Sequence, residues 1–197
     1  MFETDGVSVD PRVAGFWIRA AARTIDTAVP FLLGVVAGII AFIVLAIGRQ
    51  PGDMRVWAQH MGGFSVVALL GSTLASALYH TASEFVGGAS LGKLICGLRV
   101  VSEDFTPVSF RGAFIRSCAF VVDGFFFGYV GYRRMNVSPL AQRYGDHWGG
   151  TTVVSVRNYR QAVRGPVLVL LGLGMGMAAM VIFQAVFIVA RVVNAMR

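Results

Sequence analysis

The chain has 197 residues, of which 56% are hydrophobic and 14% are charged. Soluble domains carry charge on about a quarter of their residues, whereas the blocks 27–48, 61–79 and 165–190 contain no acidic, basic or histidine side chain. Because a helix of about 20 apolar residues crosses the hydrocarbon core of a bilayer, this composition excludes an ordinary soluble domain. It predicts an all-α integral membrane protein.

The formal net charge of +7 would indicate nucleic-acid binding in a soluble protein. In a membrane protein, basic residues collect in cytoplasmic loops and meet anionic lipid head groups. We therefore predict membrane lipids as partners and no nucleic acid. We also predict that the chain lies in a bacterial-type cytoplasmic membrane with its N-terminus in the cytoplasm.

The first two spans are predicted at residues 16–47 and 56–85, and the polar turn "GRQPGDMR" separates them. Pro30 is a candidate kink in the first span. No cleavable signal peptide is expected, because the first apolar block starts late and is too long for one.

A glycine-rich loop follows the second span. Its "LRVVS" run (98–102) has β-branched character, as does "GTTVVSV" at 150–156. We predict that these runs pair as a short two-stranded ribbon at the cytoplasmic face.

Residues 110–132 have the length of a span but contain Arg111, Arg116 and Asp123. If this segment crossed the membrane, the six arginines of the loop 133–164 would lie outside, against the positive-inside rule. We therefore predict a broken or re-entrant helical hairpin, with a full crossing as the alternative. Irregular backbone at membrane depth must pack in protein or line water.

The last apolar block, 165–190, predicts the third full span, and its "GLGMGMAAM" run offers small residues for close helix packing or for a homo-oligomer. The predicted fold is therefore three full transmembrane helices plus one broken or re-entrant hairpin, with the short ribbon. We divide the chain into a membrane core at 1–157 and a basic linker with an additional C-terminal helix at 158–197.

Two stretches, "GFWIRAAARTID" and "GAFIRSCAFVVD", share the pattern G-x-[WF]-I-R-x6-D. Residues seven apart lie on nearly the same face of a helix, so Arg19 shares a face with Asp26, with Arg23 close beside, and Arg116 shares one with Asp123. A charge near the bilayer centre costs about 2.5–3.5 kcal/mol, so we predict crosswise pairs, Arg19 with Asp123 and Arg116 with Asp26. In the alternative, the arginines reach lipid head groups and the acids only fix helix register.

His80 and Glu84 are i,i+4 neighbours and secondary candidates for a proton relay, with a satisfied interfacial pair as the alternative. Lys93 and Arg143 are candidate contacts for lipid phosphate. The run "GGASLGK" imitates a nucleotide-binding loop, but Leu94 stands where a Mg²⁺-binding Ser or Thr is needed.

The run "YGDHWGG" places Asp146 beside His147 without further ligands, so we predict no metal site. Asp146 is expected to cap a helix or to receive Arg19, Arg143 or Lys93. No set of nucleophile, base and orienting group is recognisable, so we predict no enzyme and no cofactor.

Four segments, "AGFWIRAAARTID", "GASLGKLICGLRVV", "FIRSCAFVVD" and "QRYGDHWGGTTVV", resemble the RDD family of membrane proteins in this order, over about residues 12–156. By position, the arginine and two aspartates that name the family correspond to Arg19, Asp26 and Asp146. The further matching positions are Gly92, Lys93, Gly97, Arg116, Asp123, Gln142, Arg143 and Gly145. The resemblance implies a multispan bundle, and ion transport has been suggested for some members.

These observations lead to two functional hypotheses. The first is transport of a small cation or solute with proton coupling through intramembrane aspartates, above all Asp26 and Asp123. The second is a non-transporting scaffold or accessory subunit that binds lipid or a partner protein.

Overall fold

The computed structural model describes residues 9–28, 66–162 and 164–195. The kink at Pro30, the polar turn at 48–55 and most of the first predicted span lie outside these residues and stay predictions. The elements in chain order are α1 (16–28), α2 (Val66–Gly87), α3 (Leu91–Ile95), β1 (Leu98–Ser102), α4 (Phe110–Cys118), α5 (Phe120–Asp123), a 3-10 turn (Phe125–Gly128), α6 (Tyr129–Asn136), α7 (Tyr144–Trp148), β2 (Thr151–Ser155), a second 3-10 turn (Arg160–Ala162) and α8 (Pro166–Ala195).

The two longest described helices, α2 and α8, pack closely because glycine lies at their contact. A Cβ added at Gly172 would lie 2.6 Å from the backbone nitrogen of Gly87, and one at Gly176 would lie 2.7 Å from the carbonyl oxygen of Tyr79. Ala75 and Met180 complete this contact with buried apolar side chains. Small residues four apart let two helix backbones approach, so the expected packing role of the "GLGMGMAAM" run is confirmed.

Helix α8 is long and apolar enough to cross a membrane. Its segment Pro166–Phe183 has a mean hydropathy of 2.3, and 22% of it is buried inside the protein. Leu170 and Ile182 are 69% and 64% exposed. Among the described residues no other helix meets these criteria, and the predicted spans 16–47 and 56–85 fall partly outside them. The three-span architecture therefore stays a prediction.

Residues 110–136 form a broken helical segment. Ser109 caps α4 by accepting the backbone N–H of Gly112 at 3.1 Å, and Gly128 interrupts the run with a left-handed φ of 87°. The chain then doubles back and brings Gly131 close to Asp123. A Cβ added at Gly131 would lie 3.2 Å from the carbonyl oxygen of Asp123. The predicted break is confirmed in the backbone, while its depth relative to a bilayer stays a prediction.

Strands β1 and β2 form the predicted ribbon. They are antiparallel, with Leu98 opposite Ser155 and Ser102 opposite Thr151. Ala14, just before α1, donates its backbone N–H to the carbonyl oxygen of Val153 at 2.8 Å. The ribbon packs apolar side chains against α1 and α4, in a cluster formed by Ala14, Ala22, Leu98, Val100, Val108, Ala113 and Val153. The ribbon therefore joins the start of α1 to the second half of the chain.

Replacing Gly172 by alanine tests the α2–α8 contact. The new Cβ would overlap the Gly87 backbone, so we expect a loss of about 1–3 kcal/mol in the free energy of unfolding, measured by denaturation in detergent micelles. Gly174→Ala is the matched control, because no described residue lies within 4 Å of its added Cβ and its gain in helix propensity is the same. Equal stability of the two variants would contradict the packing described here.

Candidate functional site

The buried carboxylate of Asp146 joins three arginines from different parts of the chain. Arg19 Nη1 donates to Oδ2 at 2.9 Å, and Arg116 Nη2 lies 2.8 Å from Oδ1. Arg143 Nε lies 3.6 Å from Oδ2. Asp146 is 1% exposed, so water screens these charges little. Of the partners expected for Asp146, the structure brings Arg19 and Arg143 to it and adds Arg116.

Local structure explains how Asp146 reaches these arginines. It is the third residue of α7 and accepts the backbone N–H of Arg143 at 3.3 Å, as in a capping box. Helix α4 lies directly against the end of α7. A Cβ added at Gly149 would be 2.7 Å from the carbonyl oxygen of Gly112, so glycine permits this approach. Arg116 follows Gly112 by one helical turn and is thereby brought to the Asp146 carboxylate.

The remaining donors of Arg19 anchor α1 to the ribbon. Its Nε donates to the carbonyl oxygen of Ala14 at 2.9 Å, and its Nη2 donates to that of Val153 at 3.2 Å. Arg19 therefore does not extend to lipid head groups. It connects its own helix, β2 and α7 through one planar guanidinium group.

Glu84 is a second buried acceptor, 2% exposed. Its Oε1 accepts Lys93 Nζ at 2.7 Å and its Oε2 accepts Arg116 Nη1 at 2.9 Å. Arg116 thus bridges the carboxylates of Glu84 and Asp146. Lys93 is 8% exposed and pairs inward, so its predicted contact with lipid phosphate has no support in this geometry.

Asp26 is held by neutral donors. Its carboxylate accepts Ser90 Oγ at 2.6 Å, the backbone N–H of Gly92 at 2.7 Å and Tyr79 Oη at 3.2 Å. Glycine is required at 92, since a Cβ there would overlap the carbonyl oxygen of Ala22. The expected pair between Asp26 and Arg116 is therefore wrong, because the glycine-rich loop presents its donors directly to Asp26.

Asp123 likewise accepts neutral donors. The backbone N–H groups of Tyr144 and Gly145 donate to its two carboxylate oxygens at 2.9 and 3.2 Å. The first N–H groups of a helix have no intrahelical partner, and those of α7 point at this carboxylate. The expected pair between Asp123 and Arg19 is therefore also wrong, since Arg19 is occupied by Asp146.

Arg23 lacks a carboxylate partner among the described residues. Its guanidinium donates to His80 Nε2 and to Ser76 Oγ, the latter at 3.3 Å, and it lies 3.8 Å from the centre of the Phe120 ring. Because Arg23 donates to Nε2, the proton of a neutral His80 lies on Nδ1. That atom lies 3.5 Å from Oε1 of Glu84, so the expected His80–Glu84 neighbours do meet.

A small cavity of about 20 Å³ lies inside this cluster, enough for about one water molecule. His80, Ser117 and Arg143 line it. Each has a buried polar atom, His80 Nδ1, Ser117 Oγ and Arg143 Nε respectively, that finds no hydrogen-bond partner among the described residues.

Two larger cavities lie on either side of Arg23 and Phe120. One, of about 640 Å³, is lined by Asp26, Tyr79 and a row of hydroxyl groups, among them Ser76. The other, of about 430 Å³, is lined by Asp123. Each cavity therefore reaches one of the two aspartates held by neutral donors.

The pKa of Asp146 reflects its arginines. Burial alone would raise it, but the positive charges of Arg116, Arg143 and Arg19 outweigh burial and hold the pKa well below its usual range. Asp146 is therefore ionised at any physiological pH and acts as a permanent countercharge.

Comparison with known proteins adds a family assignment. The profile of the RDD family matches residues 13–192. The chain belongs to the RDD family. This confirms the resemblance carried by the four segments. The RDD match includes residues 166–192 of α8, while the division of the chain at residue 157 stays a prediction. The RDD family is typically membrane-associated, in agreement with the apolar surface of α8.

Two Bacillus subtilis (strain 168) proteins are similar to this RDD-family chain. It is 33% identical to the uncharacterized protein YckC over 106 residues, which is 52% of the chain and 56% of YckC. It is 30% identical to the uncharacterized protein YxaI over 134 residues, which is 60% of the chain and 82% of YxaI. The chain thus spans little more than half the length of YckC. No solved structure matches significantly.

Sequence reasoning placed the charged residues of this RDD-family protein correctly in one region but missed several of their donors. The backbone N–H groups of Gly92, Tyr144 and Gly145 carry no signal in residue type. Ser90 is an ordinary serine in a glycine-rich loop. Only the N-terminal position of Asp146 in α7 was recognisable, as a helix cap.

Asp146→Asn removes the countercharge of Arg19 and Arg116. Because both guanidiniums then stay buried with one carboxylate fewer, we expect a loss of about 3–5 kcal/mol in the free energy of unfolding. Denaturation in detergent checks this against Asp104→Asn, a substitution at an exposed aspartate. A loss below 1 kcal/mol would mean that Asp146 does not organise the bundle.

The lowered pKa of Asp146 predicts that the stability difference between wild type and Asp146→Asn depends on pH. A carboxyl group with a lowered folded-state pKa stabilises the fold above its unfolded-state pKa of about 3.9, and this contribution falls as pH drops towards the folded-state value. The stability difference between wild type and Asp146→Asn should therefore be constant from about pH 5 to 7 and shrink below about pH 4. A difference that grows on acidification would refute the assignment.

Proposed function

We propose that this RDD-family protein transports a small cation across the membrane with proton coupling, and that Asp26 and Asp123 bind the cation or the proton. The observation that carries the proposal is the division of the buried carboxylates into two kinds. Asp146 and Glu84 are neutralised by arginine or lysine. Among the described residues, the hydrogen bonds to Asp26 and Asp123 come from neutral donors, and both aspartates line cavities.

This division matters for chemistry. A carboxylate paired with a buried guanidinium cannot take up a cation without leaving that guanidinium uncompensated, which costs several kcal/mol. A carboxylate held by hydroxyl and amide donors keeps its negative charge available to a cation or a proton. Intramembrane acids of this kind typically mark ion pathways.

The cavities supply a route to each aspartate. Hydroxyl oxygens such as those of Thr27 and Ser76 line the cavity that contains Asp26, and oxygen ligands suit hard cations. Arg23 and Phe120 line both cavities. The charge of Arg23 would oppose free passage of a cation between them, so we assign it to preventing uncoupled leak.

His80 and Glu84 have a secondary place in this proposal. The neutral His80 ring receives Arg23 at Nε2 and presents Nδ1 towards Glu84 and the water-sized cavity. A bound water there would link the imidazole to Ser117, the kind of short chain along which protons move.

The second candidate function is a non-transporting scaffold or accessory subunit, in which no residue acts as a catalyst. Its support is that Arg19, Arg116, Glu84 and Asp146 fasten α1, α2, α4 and α7 together. Exposed aromatic side chains, such as Trp17 at 79% and Trp148 at 54% exposure, offer contacts for lipid, a partner protein or a second copy of the chain.

Flux assays with purified protein in liposomes separate the two candidates. With imposed gradients of Na⁺, K⁺, Li⁺ and protons, we expect the wild type to move at least one cation and to change the internal pH. Asp26→Asn and Asp123→Asn should each abolish this flux, because a neutral amide lacks the negative charge that balances a bound cation and does not take up a proton at these pH values. Asp104→Asn, at an exposed position, should leave it unchanged.

A loss of flux must be distinguished from a loss of folding, because Asp26 also accepts a hydrogen bond from the loop that contains Gly92. Each variant is therefore checked by size-exclusion chromatography and thermal unfolding. Loss of flux in a well-folded Asp123→Asn variant supports transport. A folded wild type without flux for any of these ions would refute the transport proposal and leave the scaffold.

A further inference from the structure

Two arginines outside the charged cluster meet at the end of α2. A Cβ added at Gly88 would lie 3.3 Å from Nε of Arg164 and 3.7 Å from Cδ of Arg99, so both side chains flank this glycine. Gly88 follows α2 with a left-handed φ of 73°, the conformation that often ends a helix. Arg99 comes from β1 and Arg164 from the segment before α8.

Each arginine is only partly satisfied by the protein. Arg164 Nη1 donates to the carbonyl oxygens of Phe85 and Val86 at 2.6 and 2.5 Å, and so closes the C-terminal end of α2. Arg99 Nη1 donates to the carbonyl oxygen of Leu98 at 2.8 Å, but its Nε is buried and finds no hydrogen-bond partner in the part of the chain that the structure describes. A buried N–H without an acceptor is costly.

No carboxylate compensates these two charges among the described residues. Neither arginine takes part in an ion pair there. Arg99 is 6% exposed, and burial lowers the pKa of both guanidiniums without an acidic neighbour to oppose it. Two arginine side chains that flank one glycine, with no carboxylate partner among the described residues, can receive an oxyanion, since the planar guanidinium fork matches phosphate geometry.

The site also lies beside α8 and a group of exposed apolar side chains. Arg164 precedes by two residues the first residue of α8, the helix able to cross a membrane. Beside it, Phe85 and Phe110 pack edge to face at 5.7 Å while remaining 41% and 58% exposed, and Val167 is 67% exposed. Such apolar surface suits acyl chains next to a charged head group.

We propose that Arg99 and Arg164 bind a phosphate group at the junction of α2, β1 and α8, as carried by the head group of an anionic phospholipid. The site is distinct from Lys93 and Arg143, whose charges face Glu84 and Asp146. It does not depend on transport, and it would fix the height of the bundle relative to the lipid surface.

The test measures thermal unfolding of the purified full chain in detergent micelles. Phosphatidylglycerol, phosphatidylcholine and inorganic phosphate are titrated separately. For the wild type we expect a concentration-dependent rise in Tm with phosphatidylglycerol that exceeds the rise with phosphatidylcholine. Arg99→Gln and Arg164→Gln should each weaken this binding by roughly tenfold or more, whereas Arg157→Gln, at an exposed arginine, should bind like the wild type.

Each outcome decides the proposal. Stabilisation by inorganic phosphate alone, lost in Arg164→Gln, supports the phosphate site and makes its source a free anion. Equal effects of the two lipids with none from phosphate overturn the proposal, as does an equal loss in Arg157→Gln. If Arg99→Gln does not fold, Arg164→Gln and Arg99→Lys still test the phosphate site. Lysine keeps the positive charge but lacks the bidentate fork of arginine, so Arg99→Lys should also bind more weakly than the wild type.

Discussion

The structure depends on one interaction, the compensation of Arg19 and Arg116 by the buried carboxylate of Asp146. Burying a charge is costly unless it is paired and hydrogen-bonded, and here the pairing unites groups that lie 127 residues apart for Arg19 and Asp146. Removing Asp146 leaves Arg19 without a carboxylate partner among the described residues, and leaves Arg116 with Glu84 alone, in a medium of low dielectric constant. The first helix, the broken segment and the short helix before β2 therefore hold together through one set of charges.

Around this interaction, the buried acids divide into two groups with different chemistry. Asp146 and Glu84 face guanidinium or ammonium groups and are fixed as countercharges. Asp26 and Asp123 face hydroxyl groups and backbone amides and border cavities. A bundle that is anchored by the first group can leave the second group free for exchange with a cation or a proton, which is the physical basis of the function proposed above.

Away from the charged cluster, the contact between α2 and α8 depends on close packing at glycine. Gly172 and Gly176 let α8 lie directly on α2, so α8 packs against α2 on one side and exposes apolar side chains on the other. At the end of this contact, Arg99 and Arg164 have donors that the protein does not use fully. They lie beside exposed aromatic rings, at the phosphate site that we propose, and are separate from the charged cluster.

The sequence by itself predicted a membrane protein and indicated the RDD membership, the ribbon between the "LRVVS" and "TTVVS" runs and the break in residues 110–132. It also predicted that Arg19, Asp26, Arg116, Asp123 and Asp146 gather in one region. These follow from composition, β-branched runs, misplaced charges and motif order, all of which are local properties of the chain. The tertiary structure alone decided the pairing. Arg19 pairs with Asp146 and not with Asp123. Asp26 accepts hydrogen bonds from Ser90 and the Gly92 amide and does not pair with Arg116. Backbone N–H groups and close glycine contacts settle such choices, and neither is visible in residue type, because they arise only when distant segments approach each other.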